Sequence, residues 1–164
     1  MNKKILLSLA LSLVISGCVT TTSTLVDSNI TSYNYNGRMK LTNSYNVSAL
    51  KSITSDSETN IETVGLKLTY TDSDKVKQEL QIPADKIGAF KFILLQKSQV
   101  AEGARDGIAQ LEIGLYKQLN VSADFVDGER IVSIASLDGV FALKHEGVKD
   151  LFRLLDEIQK GVIK

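Results

Sequence analysis

Asp127-Gly128 and Asp138-Gly139 restrict the fold more than any other feature of the chain. Each lies between short runs in which apolar residues alternate with others. Val121 to Val126 precedes the first pair, Ile131 to Ile134 separates the two, and Val140 to Leu143 follows the second. A type I′ turn needs positive φ at both central positions, and Asp-Gly supplies it with little strain, so the pair is a strong hairpin signal. Two in succession predict a three-strand antiparallel meander. Ile108 to Tyr116 alternates through Leu111, Ile113 and Leu115 and adds a strand ahead of it.

The first half carries the same period. Tyr35 to Thr42 ends in alternation through Met39 and Leu41, and Val47 to Ile53 alternates more weakly. Ser55 to Asn60 reads as a polar loop. Val64 to Thr71 alternates through Val64, Leu66, Leu68 and Tyr70, then Asp72-Ser73-Asp74 turns the chain into Val76 to Ile82. Pro83 ends that strand. From Asp85 the period changes to steps of three and four through Ile87, Phe90, Ile93, Leu94, Lys97, Val100 and Ala101, one face of a helix. A strand from Phe90 to Leu95 is the competing reading. Phe92 and Leu95 fall outside the stripe, which predicts a helix buried on more than one side. A second helix is predicted from about Glu146 to Lys160, with Val148, Leu151, Phe152, Leu155 and Ile158 inward.

The expected class is therefore α+β: antiparallel sheet with two helices. A finer pattern lies inside it. Leu80, Ile82, Asp85, Ile87, Phe90, Ile93 and Leu94 match Phe141, Leu143, Glu146, Val148, Leu151, Leu154 and Leu155 at a constant offset of 61. Either the chain holds tandem ββββα units, with halves at 33–103 and 108–164, or any two strand-to-helix junctions would match this way. The topology is similar to the tandem ββββα modules of the whirly and PUR-repeat folds, which bind single-stranded nucleic acid. Fold-level similarity does not license that activity.

The chain opens with Lys3 and Lys4, an uncharged run of 11 residues from Ile5 to Ile15, and then Ser16, Gly17 and Cys18. Positive start, apolar middle and small-residue end are the parts of a secretory signal, and a bilayer-spanning helix needs roughly 20 residues. Ile15-Ser16-Gly17-Cys18 resembles the lipobox of bacterial lipoproteins. The resemblance implies cleavage after Gly17, a diacylglycerol on the Cys18 thiol, and acylation of the new amino group. Cys18 is the only cysteine, so a mature domain would contain no disulfide. With Val19 rather than aspartate after the cysteine, the resemblance implies the periplasmic face of the outer membrane in a two-membrane cell. In a one-membrane cell it implies the outer face of that membrane. The polar stretch at 18–32 is expected to be a lipidated flexible tether, with an ordered first strand through Leu25 and Val26 as the alternative. Residues 33–164 are expected to form a single domain.

Cleavage after Gly17 leaves 147 residues, enough for a real core. The full chain has 19 basic and 19 acidic residues, and losing Lys3 and Lys4 makes the mature charge about −2. No nucleic acid is expected as a partner of an acidic, exported chain.

The search for chemistry nominates no catalytic residue, cofactor or metal site. His145 is the single histidine, at a strand-to-helix junction, and reads as a cap or a surface residue. Asp72-Ser73-Asp74 begins like a calcium loop, but Lys77 and Pro83 stand where glycine and glutamate are required. Glu102 to Gly107 contains glycine yet lacks the Lys-Ser/Thr pair of a phosphate loop. Tyr33, Tyr35 and Tyr45, among Asn and Ser, suit either a recognition surface or edge-strand packing. The expectation is a membrane-anchored, non-enzymatic module for an envelope protein or wall component. An envelope hydrolase with paired carboxylates and a small-ligand binder are the alternatives.

Overall fold

The computed structural model describes residues 19–35, 41–104 and 106–162. Among them are β1 (Val19–Val26), β2 (Thr31–Tyr35), β3 (Leu41–Asn46), β4 (Ser48–Asp56), β5 (Ile61–Thr71), β6 (Lys77–Ile82), α1 (Ile87–Ser98), β7 (Ala109–Gly114), β8 (Lys117–Val126), β9 (Glu129–Ser136), β10 (Gly139–Leu143) and α2 (His145–Gln159). The fold is α+β, with two antiparallel sheets. One has the order β1-β4-β5-β6 and the other β3-β2-β10-β9-β8-β7.

These orders reduce to a simple plan. β1, β4, β5 and β6 make one four-strand meander, followed by α1. β7, β8, β9 and β10 make a second, followed by α2. The β2–β3 hairpin is inserted between the first two strands of the first meander and lies on the edge of the second sheet, where Ala142 and Leu143 face Tyr33 and Ser32. Both members of the matched 61-residue pattern are inward at their strand-to-helix junctions. Leu80, Ile82, Ile87, Phe90 and Leu94 are buried in one, and Phe141, Leu143, Val148, Leu151 and Leu155 in the other.

One core joins the two halves. α1 lies over β7, β8 and β9 of the second sheet, while α2 lies against α1, β5, β9 and β10. Phe90 and Leu94 of α1, Leu151 and Leu155 of α2, and Leu66, Leu119, Val132 and Phe141 of the strands belong to the same buried cluster. Lys91 clamps the helices: its ammonium reaches Asp156 and Gln159, each at 2.8 Å, and lies over the Phe152 ring.

The sheets meet where β6 passes β10. The Glu79 amide donates to the Asp138 carbonyl at 2.9 Å, and the Tyr70 hydroxyl donates to the Val140 carbonyl at 2.6 Å. Tyr70 also stacks on Tyr45 and meets Phe141 edge-on, with both centroid separations 5.1 Å. These contacts run from β3 through β5 to β10 and tie the inserted hairpin to both sheets.

Several expectations need correction. The stretch at 18–32 is not a tether over its described part. All eight residues of β1 pair with β4, from Val19 opposite Asp56 to Val26 opposite Ala49. That ladder satisfies the backbone groups on the inner edge of β1, and the Thr-rich side chains favour the extended form. The domain therefore begins before residue 33, and so does the first half. The expected strand over Tyr35 to Thr42 is not one strand: Tyr35 ends β2 and Leu41 begins β3, the two lie opposite each other, and residues 36–40, Met39 among them, lie outside the described residues. α1 is helical over the segment that competed as a strand, but Phe92 and Leu95 are exposed, so it is buried on one side only.

The two Asp-Gly pairs behave differently. Asp127 and Gly128 have φ of 52° and 77°, as a type I′ turn requires. At the second pair the loop residues are Leu137 and Asp138, between paired Ser136 and Gly139, and neither has positive φ. Gly139 serves close approach: a Cβ there would lie 2.8 Å from the Glu79 nitrogen.

Candidate functional site

Gly17 and Cys18, the expected cleavage and lipidation residues, lie outside the described residues. The description begins at Val19, the next residue, which is already in β1 opposite Asp56. Asp56 in turn faces Ile61 across the β4–β5 hairpin. The residue after the cysteine thus stands on the last rung of a three-strand ribbon. Along this end β1 is exposed on both faces, and so are Ile61, Glu62 and Thr63 of β5.

The loop beyond that rung, Ser57 to Asn60, ends in a left-handed Asn60 with φ 53°. The Asp56 carboxylate accepts the Glu58 amide at 2.9 Å, and this bond lowers its pKa. Thr20, Ser55, Asp56, Ser57, Asn60, Ile61 and Glu62 line a groove of about 530 Å³ that is open to solvent. Although two carboxylates border it, Glu62 is engaged by the Ser55 hydroxyl at 3.4 Å.

A glycosidase-type acid needs a carboxyl whose pKa is raised. The carboxyls with shifted acidity all move the other way. Asp56 and Asp72 are lowered by backbone amides and, for Asp72, by the Gln78 side chain, against an opposing effect of burial; Glu79 is lowered first by Lys67 and Asp156 first by Lys160. Each is held as a carboxylate. Among the described residues no group of three or more His, Cys, Asp or Glu side chains is placed to hold a metal ion. His145 is exposed as the first residue of α2, and Lys144, which precedes it, makes no side-chain cap bond. Asp72 organises its hairpin by accepting the Asp74 and Val76 amides at 3.0 and 2.9 Å.

Tyr33 and Tyr45 do not converge. In the β2–β3 ladder Tyr33 is opposite Ser44, and Tyr45 is opposite Ser32. Neighbouring rungs point to opposite faces, so Tyr33 and Tyr45 lie on different sides of the sheet. Tyr33 packs beside Val126, Ile131 and Ala142, with the Lys144 ammonium 5.0 Å from its ring centroid. Tyr45 stacks on Tyr70 and donates to the Ser73 hydroxyl, a bond that lowers its pKa. The Tyr35 side chain lies outside the described residues.

Two features that sequence reasoning missed stand out at the surface. Among the described residues the outer edge of β1 has no partner strand over eight residues that include no charge and no proline. Its β-branched composition was the available signal. At the end of the second sheet, Leu115 and Tyr116 of one hairpin tip and Leu137 of the next are exposed, beside a Lys117–Asp138 ion pair of 3.2 Å. No helix among the described residues is long and apolar enough to cross a membrane. No protein-family model matches the chain, and no curated protein matches it.

Proposed function

We propose that the protein is a lipid-anchored envelope lipoprotein that binds another envelope protein or a wall component without catalysing a reaction. Ile15-Ser16-Gly17-Cys18 supports the anchor, with cleavage after Gly17 and acylation of Cys18. Two or more acyl chains make such attachment stable, since each buried methylene contributes roughly 0.8 kcal/mol.

The observation that carries the binding reading is the free edge of β1. Long, uncharged edge strands pair readily with another extended chain, and most proteins blunt them with lysine, proline or a bulge. Here the edge has none of these over Val19–Val26. A partner strand added there would gain backbone hydrogen bonds, with specificity from alternate Thr side chains.

The test is in-cell photocrosslinking of the full-length protein, followed by mass spectrometry of both adduct and protein. The expected result is acylated Cys18 and one recurrent partner, captured by the native chain and lost in a Thr22→Lys/Thr24→Lys variant that still folds. Both positions are exposed, so the variant changes the edge and spares the core. Capture that survives both lysines would contradict the edge reading, and an unacylated Cys18 would contradict the anchor.

A further inference from the structure

The position of Val19 fixes more than the presence of an anchor. Cys18 precedes it directly, so one peptide unit of about 3.8 Å separates the two Cα positions. Val19 is paired with Asp56, which places the β4–β5 tip about 5 Å away across the ladder. No slack remains between an acylated Cys18 and the folded sheet. A flexible linker of about 14 residues would have allowed excursions of about 20 Å, but the first eight residues after Cys18 are the paired strand β1.

We propose that the tip from Asp56 to Ile61 rests on the phospholipid headgroups of the bilayer that holds the anchor, and that the outer rungs of β1, β4 and β5 are a stalk holding the core above it. This rests on the lipoprotein reading. The stalk is legible in the burial pattern. β1 is exposed from Val19 to Leu25, and β5 is exposed from Ile61 to Thr63 before it enters the core at Gly65 and Leu66. The last rung presents Val19 and Ile61, exposed by 63% and 57%, as apolar contacts at the height of the acylated cysteine. The tip polarity also selects the surface. Residues 55–62 carry Asp56, Glu58 and Glu62 and no basic side chain, so anionic lipids offer no attraction and zwitterionic headgroups are the compatible bed. β5 spans 11 residues, so at about 3.4 Å per residue its far end, next to Asp74, stands roughly 34 Å from the tip.

The experiment uses the full-length acylated protein in phosphatidylcholine vesicles whose headgroups carry a nitroxide quencher. Acylation consumes the native thiol, so Glu58→Cys and Asp74→Cys each offer one labelling site for a fluorophore, and both side chains are exposed. Quenching at position 58 is expected to exceed that at position 74 several-fold. A Gly/Ser insertion of about 20 residues between Cys18 and Val19 should abolish the difference by restoring a tether. Equal quenching at the two positions, or a difference that survives the insertion, would overturn the mounting while leaving the anchor intact. Protein whose intact mass lacks acyl chains would overturn the lipoprotein reading and this proposal with it.

Discussion

Asp156 sits between ammonium groups from two helices, and its acidity records the arrangement. Lys160 lies one turn later, at the C-terminal cap of α2, and Lys91 reaches across from α1 at 2.8 Å. Their hydrogen bonds, that of Lys160 first, lower the Asp156 pKa to about 2. The unfolded chain would titrate near the ordinary aspartate value of about 3.9. A folded pKa below the unfolded one means that the group contributes its stabilisation fully above about pH 4, and that the contribution is lost as pH falls through about 2. Carboxyl-carbon NMR should therefore place the Asp156 midpoint near 2 in the native protein. Lys91→Gln should move it upward without returning it to the ordinary value, because Lys160 remains. A midpoint near 4 in the native protein would show that the bridge between the helices does not form in solution.

At the scale of elements, the two Asp-Gly sites separate turn chemistry from packing. Gly128 has φ 77° with open space around its missing side chain. Gly128→Ala should cost only the left-handed strain, about 1–2 kcal/mol. In Gly139→Ala the new Cβ would lie 2.8 Å from the Glu79 nitrogen and 3.1 Å from its oxygen, both backbone atoms that cannot rotate away. The expected cost is about 1–3 kcal/mol of strain, together with faster hydrogen exchange at the Glu79 amide. Gly128→Ala should leave that amide protected relative to global stability. Equal protection in both variants would mean that β6 and β10 do not touch as described.

The same contrast explains what could be read beforehand. Alternation found β7, β8 and most of β5 and β6, because each has one wetter and one drier face, while the Asp-Gly pairs marked β9 and β10, which are buried on both faces at Ile131-Val132 and Phe141-Ala142. β1 was only the alternative reading, through Leu25 and Val26, because both its faces are wet: Val-Thr-Thr-Thr-Ser-Thr-Leu-Val has no apolar period. Its signal was β-branched content, which weighs less than period. The relative placement of the tyrosines was not legible for a different reason. Whether Tyr33 and Tyr45 share a face depends on the β2–β3 register, in which Tyr33 pairs with Ser44 and Tyr45 with Ser32, and a shift of one residue would reverse the answer. The resemblance of Ile15-Ser16-Gly17-Cys18 to a lipobox needs no fold to be legible, since its information is contiguous.

At the scale of the whole molecule, the two meander-helix units look separable on paper and are not so in space. α1 follows the first meander yet covers β7, β8 and β9 of the second. The segment between them is pinned as well. The buried Lys97 ammonium holds Asp106 at 2.7 and 2.8 Å, and the Arg130 guanidinium donates to the carbonyls of Ser98 and Val100. Severing a charge pair this buried costs several kcal/mol when one partner is left behind. Either half alone would expose the surface that the other covers, and neither contains a complete core. The chain should accordingly unfold in urea as one transition, with the same midpoint by far-ultraviolet dichroism and by tyrosine fluorescence. Cleavage between Gly103 and Gly107 should give fragments that are each unfolded alone and regain native dichroism when mixed in equal amounts. A stably folded fragment 109–162 would show that the second meander and α2 suffice without α1, and that the shared core is an accessory of the fold rather than its basis.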